Sequence, residues 1–537
     1  MADLVLENAC ILTMTQPGAR AEAVWIRDGH VAAVGSRADV RAAAPAAARR
    51  VDLGGAVMLP ALTDSHLHLL SYGLFLSEID CGRGSIVDLV GAVRERARRT
   101  PAGQWLTGRG WDQERFAEHR YPTRWDLDEA APHHPVILRR YCGHVAVANS
   151  MALALAGVGA GTADPPAGVI DRDGSGEPTG MLREDAMKLV ERMRPEPDAS
   201  ARRAALVAAI RSALGYGITS VHSQDAWRPG ETEGVLELYR TVAREQGARI
   251  RLYALFPAAE APALASKGLR TQSGDEFVRL GPAKLFADGS LGGGTALLSE
   301  PYTDDPGNRG VAMYPQDELN EIVRAAHAAG NQVAVHTIGD GATDCVLEAF
   351  ARAQASSPRA DARFRAIHLQ VLREEQVRRI KELGVVADIQ PKFITSDGLW
   401  AARRLGPERL AFAYVQRTFL EAGIPACAGS DCPVEPLDPW LGLEAAVRHE
   451  DPAAGVAGEW MRREGVDAYR ALGMFTTGAA YSEFREGRKG VVAPGAQADL
   501  IVVDRDPTAI PPEDIRRVKV QASILAGEVA HGDLGVG

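Results

Sequence analysis

The sequence predicts a (β/α)8 barrel joined to a small β domain that is built from both ends of the chain. The middle of the chain alternates apolar, strand-like runs with helical segments, which is the pattern of a parallel α/β sheet. Eight such runs can be counted, and eight is the number of strands in this type of barrel. The two ends of the chain carry only short strand-like runs and turn signals.

The β-rich ends are assigned to one domain because neither end alone carries enough strands for a separate core. Their strand candidates are residues 4–14, 23–26, 499–504 and 518–525. The alanine-rich residues 41–50 predict a short helix between these strands. We therefore assign residues 1–60 and 481–537 to one small β domain, and residues 61–480 to the barrel.

The barrel strands follow from the apolar runs of the middle region. The eight predicted strands are residues 57–63, 218–222, 250–256, 283–287, 332–336, 364–369, 385–390 and 424–429. Helical patterns at residues 201–214, 319–329 and 374–383 lie between the later strands. The gap after the first strand is too long for one crossover, so we expect an inserted subdomain at about residues 72–200.

Composition and charge exclude several classes of protein. Hydrophobic residues make up 46% and charged residues 24% of the 537 residues, as in ordinary globular proteins. The net charge of −10 lacks the basic footprint of a nucleic-acid-binding protein. The cysteines show no CxxC spacing, and neither a signal peptide nor a membrane span is recognisable, which predicts a cytoplasmic protein without membrane association. Monomer and homo-oligomer both remain open.

The strongest local signal is the pair His66 and His68, directly after the first predicted strand. Side chains at positions i and i+2 of a strand point to the same face. The two imidazoles can therefore bind one metal ion, although such a pair can also simply pack in a core.

Other candidate groups lie near the ends of other predicted barrel strands. Lys284 lies on strand four, His336 ends strand five, His368 lies on strand six, and Asp431 follows strand eight. Active-site groups of these barrels come from the carboxyl ends of different strands. Together with the two histidines of strand one they form a coherent metal-binding set. The alternative is that six unrelated core or surface residues coincide in this pattern.

With these residues, the sequence resembles the amidohydrolase superfamily, and within it the YtcJ-like branch. The stretches that carry the resemblance are LPALTDSHLHLLSYG, AKLFADGSLGGGTALL, QVAVHTIGDGA, FRAIHLQ, AGSDCPVEPLDPW and GVVAPGAQADLIVVDRDP. GRGWDQERF and GHVAVANSMAL match within the insertion. The resemblance covers nearly the whole chain but does not specify a substrate.

The resemblance implies a (β/α)8 barrel beside a β-sandwich that is built from residues 1–60 and 481–537. It also implies one or two divalent metals per chain, usually zinc. By position, the more buried metal would be bound by His66, His68 and Asp431, and the second by His336 and His368. Lys284, carboxylated on its amine, would bridge them. A charged lysine beside a carboxylate such as Asp288 and a neutral lysine are the alternatives. Many relatives carry a glutamate before the strand-six histidine, where this chain has Ile367, so the partner that orients His368 is missing or comes from elsewhere.

The implied function is hydrolysis of a C–N bond in a small molecule, most simply a linear amide or an N-formyl or N-acyl compound. A metal-activated hydroxide would attack the carbonyl, and Asp431 would carry the proton to the leaving nitrogen. A deaminase or cyclic amidase would use the same groups. A catalytically silent binding protein is a third alternative, and the filled ligand positions argue against it.

Four further residues are candidates for substrate binding. His144 lies in the matching part of the insertion, and His222 ends strand two. Lys392 follows strand seven, where it could meet an anionic group of the substrate. Trp111, with Trp105 and Trp125, could form an apolar pocket wall. For each the alternative is a structural role: core packing for the tryptophans, and a solvated or strand-end polar group for the others.

Overall fold

The computed structural model describes residues 3–140, 145–165, 168–450 and 459–534. The chain divides into two compact units. Unit 1 comprises Met1–Tyr72 and Leu206–Gly537, and unit 2 comprises Gly73–Ala205. No helix in the described part of the chain is long and apolar enough to cross a membrane.

The strands form three sheets. In chain order they are β1 (Leu4–Leu12), β2 (Arg20–Arg27), β3 (His30–Gly35), β4 (Arg49–Asp52), β5 (Val57–Pro60), β6 (Leu62–Leu67), β7 (Ile79–Asp80), β8 (Leu106–Trp111), β9 (Val136–Arg140), β10 (Val145–Ala148), β11 (Gly168–Arg172), β12 (Pro178–Glu184), β13 (Ile218–Ser223), β14 (Arg251–Pro257), β15 (Val278–Phe286), β16 (Val333–Thr337), β17 (Arg365–His368), β18 (Val386–Ile389), β19 (Ala426–Ala428), β20 (Leu500–Val503), β21 (Val520–Leu525) and β22 (Glu528–Gly532).

The helices lie mostly between the barrel strands. In chain order they are α1 (Arg37–Ala43), α2 (Leu69–Leu76), α3 (Ile86–Arg99), α4 (Arg124–Ala130), α5 (Ser150–Leu155), α6 (Ala186–Glu191), α7 (Ala199–Gly215), α8 (Thr232–Gln246), α9 (Ala261–Ser266), α10 (Gln316–Ala328), α11 (Asp340–Ser356), α12 (Glu374–Glu382), α13 (Ile394–Arg409), α14 (Arg417–Glu421), α15 (Pro439–Arg448), α16 (Glu459–Arg462), α17 (Ala468–Phe475) and α18 (Thr477–Ser482).

The predicted (β/α)8 barrel is confirmed. Eight strands follow one another in the order β6, β13, β14, β15, β16, β17, β18, β19, and each hydrogen-bonded pair is parallel. Their side chains are almost all buried, which explains why these strands read as continuous apolar runs. Backbone hydrogen bonds from Asp431 N to the His66 carbonyl and from His68 N to the Cys432 carbonyl, both 2.8 Å, join the first and last strands.

The first barrel strand lies further along the chain than predicted. Residues 57–63 were expected to form it, but Val57–Pro60 pairs with β1 and β20 in the terminal sheet, and the barrel strand is Leu62–Leu67. A single apolar run passes from one sheet into the other at Ala61. Hydrophobicity alone does not mark such a passage, because both segments are buried.

Helix α8, which crosses from β13 to β14, shows an amphipathic pattern. In α8, Val235, Leu236, Tyr239 and Val242 are buried, a spacing that places them on one face. The helix ends at Gly247, whose φ of +65° gives the left-handed conformation that glycine adopts at low cost.

The terminal sheet combines strands from both ends of the chain. Its order is β22, β21, β20, β5, β1, β2, β3, with β4 also paired to β1, and the two ends meet where β20 pairs antiparallel with β5. Leu6, Val24, Met58, Leu500 and Ile524 are among the residues of its hydrophobic core. The short helix of this region spans Arg37–Ala43 rather than residues 41–50, since the Ser36 side chain accepts a hydrogen bond from Asp39 N and so caps the helix earlier.

Unit 2 is the inserted region, with a sheet of its own. Its six strands have the order β11, β12, β10, β9, β8, β7. Helix α3 begins after Ser85, whose side chain accepts a hydrogen bond from Asp88 N, and it buries Ile86, Leu89 and Val93. These residues join the largest apolar cluster of this unit.

Candidate metal centre

Three of the predicted ligands come together at the carboxyl end of the barrel. The ligand atoms of His66, His68 and Asp431 all lie within 4.8 Å of one another, and all three residues are buried or nearly so. Asp431 Oδ1 is 3.5 Å from His66 Nε2 and 3.2 Å from His68 Nε2. Within the described residues this is the only group of three or more such side chains.

The loop that carries Asp431 is held by Asp64. The Asp64 carboxylate accepts hydrogen bonds from Ser430 Oγ at 2.6 Å, from Ser430 N at 3.1 Å and from His66 N at 3.2 Å. Burial raises the pKa of Asp64 to about 7. Asp431 itself has a φ of +56°, a conformation that non-glycine residues rarely adopt outside functional or turn positions. Asp64 therefore fixes strand one and the Asp431 loop relative to each other.

His336 and His368 form a second pair beside the first. Their ring centroids are 4.5 Å apart, and the His368 ring is 5.6 Å from that of His66. His336 Nε2 lies 3.0 Å from the Gly289 carbonyl, so its other ring nitrogen remains for a metal. His368 has a φ of +83°.

The partner that orients His368 is Gln390. Its Oε1 atom lies 2.6 Å from His368 Nδ1, which leaves Nε2 as the free nitrogen. Ile367, directly before His368, is fully buried in a small apolar cluster with Leu255 and Ala334. Gln390 is not evident from the sequence around His368, because it directly follows the next strand, β18. Only its residue type and its position at a strand end could have pointed to it.

Electrostatics keeps most of the imidazoles neutral, as metal ligation requires. Burial lowers the pKa of His66 and of His368 well below the usual range, and it lowers the pKa of His336 to about 3. For His68 burial is the largest influence and lowers the pKa, but the hydrogen bond with Asp431 and the charge of Asp431, together with the Gln224 carbonyl and Asp225, outweigh it and raise the pKa above its ordinary value.

Lys284 on β15 is the least satisfied group of the region. Its side chain is buried, and Nζ has no hydrogen-bond partner among the described residues. Nζ lies 4.2 Å from the ring centroid of Phe286. Burial lowers the pKa of this amine to about 7. Unsatisfied buried polar atoms are rare in proteins, and His66 Nδ1 is a second one at the same place.

The residues present fit a divalent metal ion. Imidazole nitrogens and a carboxylate oxygen are the donors that zinc prefers. Lys284 Nζ and His66 Nδ1, two of the buried atoms without a hydrogen-bond partner, belong to side chains of this donor set. The donor residues and these two unsatisfied atoms together are what makes a bound metal ion compatible with this region.

Two of the predicted substrate-binding residues have other partners. His222 is completely buried, with Nδ1 3.2 Å from Arg365 Nη1 and Nε2 3.6 Å from Glu483 Oε1. It therefore belongs to a polar network inside the barrel and has no surface for a substrate. Lys392 lies beyond strand seven as predicted, but Nζ pairs with Glu435 at 3.2 Å and donates to Thr395.

Two of the candidates, Trp111 and His144, belong to the insertion. Trp111 is fully buried in the apolar core of unit 2, and its indole N–H donates to the Leu138 carbonyl at 2.8 Å. This burial leaves no ring face for a substrate, so the assignment of Trp111 to a pocket wall is replaced by core packing. His144 lies outside the described residues.

Trp227, which was not among the predicted site residues, lies beside the candidate metal ligand His68. Trp227, in the loop after β13, is 49% exposed, and its ring stacks on His68 with centroids 4.8 Å apart. The Trp227 ring is also nearly parallel to that of Phe286, with centroids 6.4 Å apart. His68 is further oriented through Nδ1, 3.0 Å from the Gln224 carbonyl. No sequence pattern distinguishes Trp227 from the other tryptophans.

Comparison with known proteins agrees with this geometry. Residues 49–531 match the model of the Amidohydrolase family. The chain belongs to this family. It is 35% identical to YtcJ of Bacillus subtilis (strain 168) over 524 residues, covering 97% of this chain and 98% of the relative. It is 28% identical to the N-substituted formamide deformylase of Arthrobacter pascens, over 100% of this chain and 99% of the relative. These matches confirm the resemblance to the YtcJ-like branch.

A solved structure shows the same fold. It is described as an uncharacterized metal-dependent hydrolase from Pyrococcus horikoshii OT3, and it superposes with a TM-score of 0.80 at 29% identity. The superposition covers 95% of this chain and 99% of that structure. Family membership and the three-residue cluster together make this chain an amidohydrolase with a metal-type site.

Proposed function

We propose that this protein is a metal-dependent hydrolase that cleaves the C–N bond of a linear amide, or of an N-formyl or N-acyl compound of low molecular weight. The observation that carries the proposal is the convergence of His66, His68 and Asp431 within 4.8 Å. The N-substituted formamide deformylase, similar over its whole length, supports the choice of an N-formyl or N-acyl bond.

The metal in this proposal is zinc, held by His66, His68 and Asp431. A second ion would lie at His336 and His368. When bound, the metal lowers the pKa of a water molecule to about 7 and so supplies hydroxide near neutral pH. Lys284 would bridge two ions as a carbamate, formed when its neutral amine adds carbon dioxide, makes an N–C bond and releases one proton.

The chain's own contribution to the reaction is proton transfer and orientation. Asp431 accepts the proton of the attacking water and returns it to the leaving nitrogen, which would otherwise depart as a very unstable anion. Asp64 and Ser430 hold the Asp431 loop, and Gln390 holds His368, so the acceptor oxygen and the imidazoles keep their directions. Positioning of this kind accounts for a large part of catalysis in such sites.

The experiment that tests the proposal combines metal analysis with product analysis. The purified full chain is expected to contain zinc and to release a carboxylate and an amine from at least one member of an N-formyl and N-acyl amine panel. Release of ammonia from a ring amine, or opening of a cyclic amide, would replace the proposal by the deaminase or cyclic-amidase alternative. A chain that binds no divalent metal would overturn it, and would return the silent binding protein as the better explanation.

The carbamate is tested with Lys284→Ala. With bicarbonate present, the wild-type chain is expected to bind two metals and the variant at most one, and short carboxylic acids should partly restore the second. The exposed Lys267, paired with Glu233, provides a control variant, Lys267→Ala, that should keep both. A plain lysine side chain beside a single, fully occupied metal would instead establish a one-metal mechanism.

A role for Lys392 in holding an anionic group of the substrate is part of the same proposal. Its pairing with Glu435 means that the substrate anion would have to compete with a carboxylate. An unchanged KM in Lys392→Met for every carboxylate-bearing substrate would exclude this role.

A further inference from the structure

A fully buried ion pair lies inside the barrel, below the candidate metal centre. Arg365 on β17 and Asp388 on β18 are both completely inaccessible to solvent and are joined by a direct ion pair. The interior of such barrels is normally filled by branched apolar side chains. Taking two charges out of water costs more than their attraction usually returns, and a well-packed apolar pair is often at least as stable. The pair therefore calls for an explanation other than stability.

Both members of this pair hold the same residue, Ser65. Arg365 Nη2 donates to the Ser65 carbonyl at 2.6 Å, and Ser65 Oγ donates to Asp388 Oδ1 at 2.6 Å. Ser65 is itself completely buried. It directly precedes His66, so the main chain and the side chain next to a metal ligand are each held by one partner of the ion pair.

The sheet itself does not fix this stretch of β6. Along the pairing of β6 with β13, Val221 opposes Asp64 and Ser223 opposes Leu67, so the register shifts where Ser65 and His66 lie. Irregularities of this type leave residues outside the regular ladder and redirect side chains, often beside active sites. On the other edge, the backbone bonds to the Asp431 loop begin only at the His66 carbonyl. The direction of the His66 side chain therefore depends on contacts other than the regular strand pairing.

We propose that Arg365 and Asp388 are positioning residues for the metal centre. By holding Ser65 at its carbonyl and its hydroxyl, the pair sets the direction of His66 without touching the metal. This inference rests on the proposed metal site. It also gives His222 a place, since its Nδ1 atom lies 3.2 Å from Arg365 Nη1 and supports the guanidinium from strand two.

The test replaces the whole ion pair, because removing one partner would leave an unpaired buried charge and could prevent folding. The variant is Arg365→Met with Asp388→Leu. The matched control is Arg251→Met with Asp499→Leu, a second buried arginine–aspartate pair, with Arg251 Nη2 2.9 Å from Asp499 Oδ1, which links β14 to the terminal sheet. Metal affinity is measured on the full chain by chelator competition with Zn²⁺ and with Co²⁺. The Co²⁺ absorption spectrum and the melting temperature are recorded for each protein.

The expected result is a loss of metal affinity in the Arg365/Asp388 variant of about 10–100-fold, the range found for residues that orient metal ligands. Its Co²⁺ spectrum should also change, while the control keeps the wild-type affinity and spectrum. Ser65→Ala, which removes only the hydroxyl contact, should give a smaller change in the same direction.

Three outcomes would overturn the inference. Wild-type affinity and spectrum in the Arg365/Asp388 variant would show that the pair does not position the ligand. An equal loss in the control would show a general effect of core substitution. If the Arg365/Asp388 variant misfolds, Ser65→Ala becomes the deciding variant. Wild-type metal affinity and Co²⁺ spectrum in Ser65→Ala would then show that the contacts to Ser65 do not position the ligand. A wild-type chain that binds no metal would instead refute the proposed function, and the inference with it.

Discussion

The carboxyl end of the barrel and the core of unit 2 are both buried, but the buried polar atoms compared here differ in whether they have hydrogen-bond partners. At the barrel end, Lys284 Nζ and His66 Nδ1 are buried without hydrogen-bond partners among the described residues. In unit 2, the one polar atom of the buried Trp111 ring is satisfied by the Leu138 carbonyl, and its neighbours are apolar.

This difference separates residues retained for chemistry from residues retained for packing. A buried polar atom without a partner costs free energy of folding, so a cluster of such atoms indicates a site that is completed by a ligand. An indole whose N–H is already hydrogen-bonded within an apolar cluster stabilises the folded state, and it needs no ligand to complete its hydrogen bonding. Substitutions in the two regions should therefore affect different measurements.

The largest effect is expected for His66→Ala. Losing one of two strand-one imidazoles opens the coordination shell, so tight metal binding and turnover should both disappear, while the fold remains. Metal content and turnover are measured together with the melting temperature. His327, a buried histidine whose Nε2 lies 2.8 Å from the Ser357 carbonyl, supplies the control His327→Ala, which should keep its metal. Full zinc content and activity in His66→Ala would show that His66, like the core of unit 2, is retained for packing rather than for chemistry.

Asp431→Asn should keep the fold but lower kcat by about 10²–10⁴-fold, because asparagine cannot accept and return a proton. Lost ligation could add to this. The control is Asp340→Asn, a buried aspartate that binds Ser299 N at 2.9 Å on another part of the barrel. A decrease of less than tenfold with wild-type metal content would exclude Asp431 as the proton carrier.

Trp111→Ala tests the other region. Removing a large buried side chain should lower the free energy of unfolding by about 3–5 kcal/mol, measured by denaturant titration. Metal affinity of the folded fraction should not change. Trp125 in the same unit is 47% exposed, so Trp125→Ala should change the stability by about 0.5 kcal/mol or less. If Trp111→Ala changed metal affinity but not stability, the assignment of Trp111 to core packing would be wrong.

Gln390→Leu should give the smallest effect and sharpens the comparison within unit 1. Without Gln390 Oε1 to accept the hydrogen bond from His368 Nδ1, metal affinity should fall by about 10-fold, at the low end of the range for such partners. Gln376→Leu removes an equally buried glutamine whose Nε2 donates to the Asp340 carbonyl, and should change stability only. Equal metal affinity in the two variants would mean that His368 is oriented by packing alone.

Much of the fold could be predicted because its signal is local. Each barrel strand is a buried apolar run, and seven of the eight lie where the runs lie. The first barrel strand lies further along the chain than predicted, because Val57–Pro60 and Leu62–Leu67 form one apolar run that contributes to two sheets. Which sheet a buried strand joins depends on distant partners, here β20, that no local pattern contains.

The candidate metal ligands could be predicted because residue type and strand position together limit their chemistry. The convergence of His66, His68 and Asp431 was expected from their places at strand ends, and the structure shows it. The groups that orient them were not, because Gln390 and Asp64 are common residue types that become meaningful only through a contact. For His222, strand position alone left a pocket-lining role and a structural role open, and its contacts are with Arg365 and Glu483 inside the barrel.

The pairing of β5 with β20 has a consequence for how the chain is made. β5 is synthesised early, but its neighbour on one edge, Leu500–Val503, is made only after the whole barrel has been translated. During that time β5 has an unpaired edge, and such edges promote association with other chains. Contacts between residues so far apart in sequence also form slowly. We therefore expect the newly made chain to be prone to aggregation until Leu500–Val503 has been made, and fragments that end before Leu500 to depend on chaperones even though they contain all the candidate metal ligands.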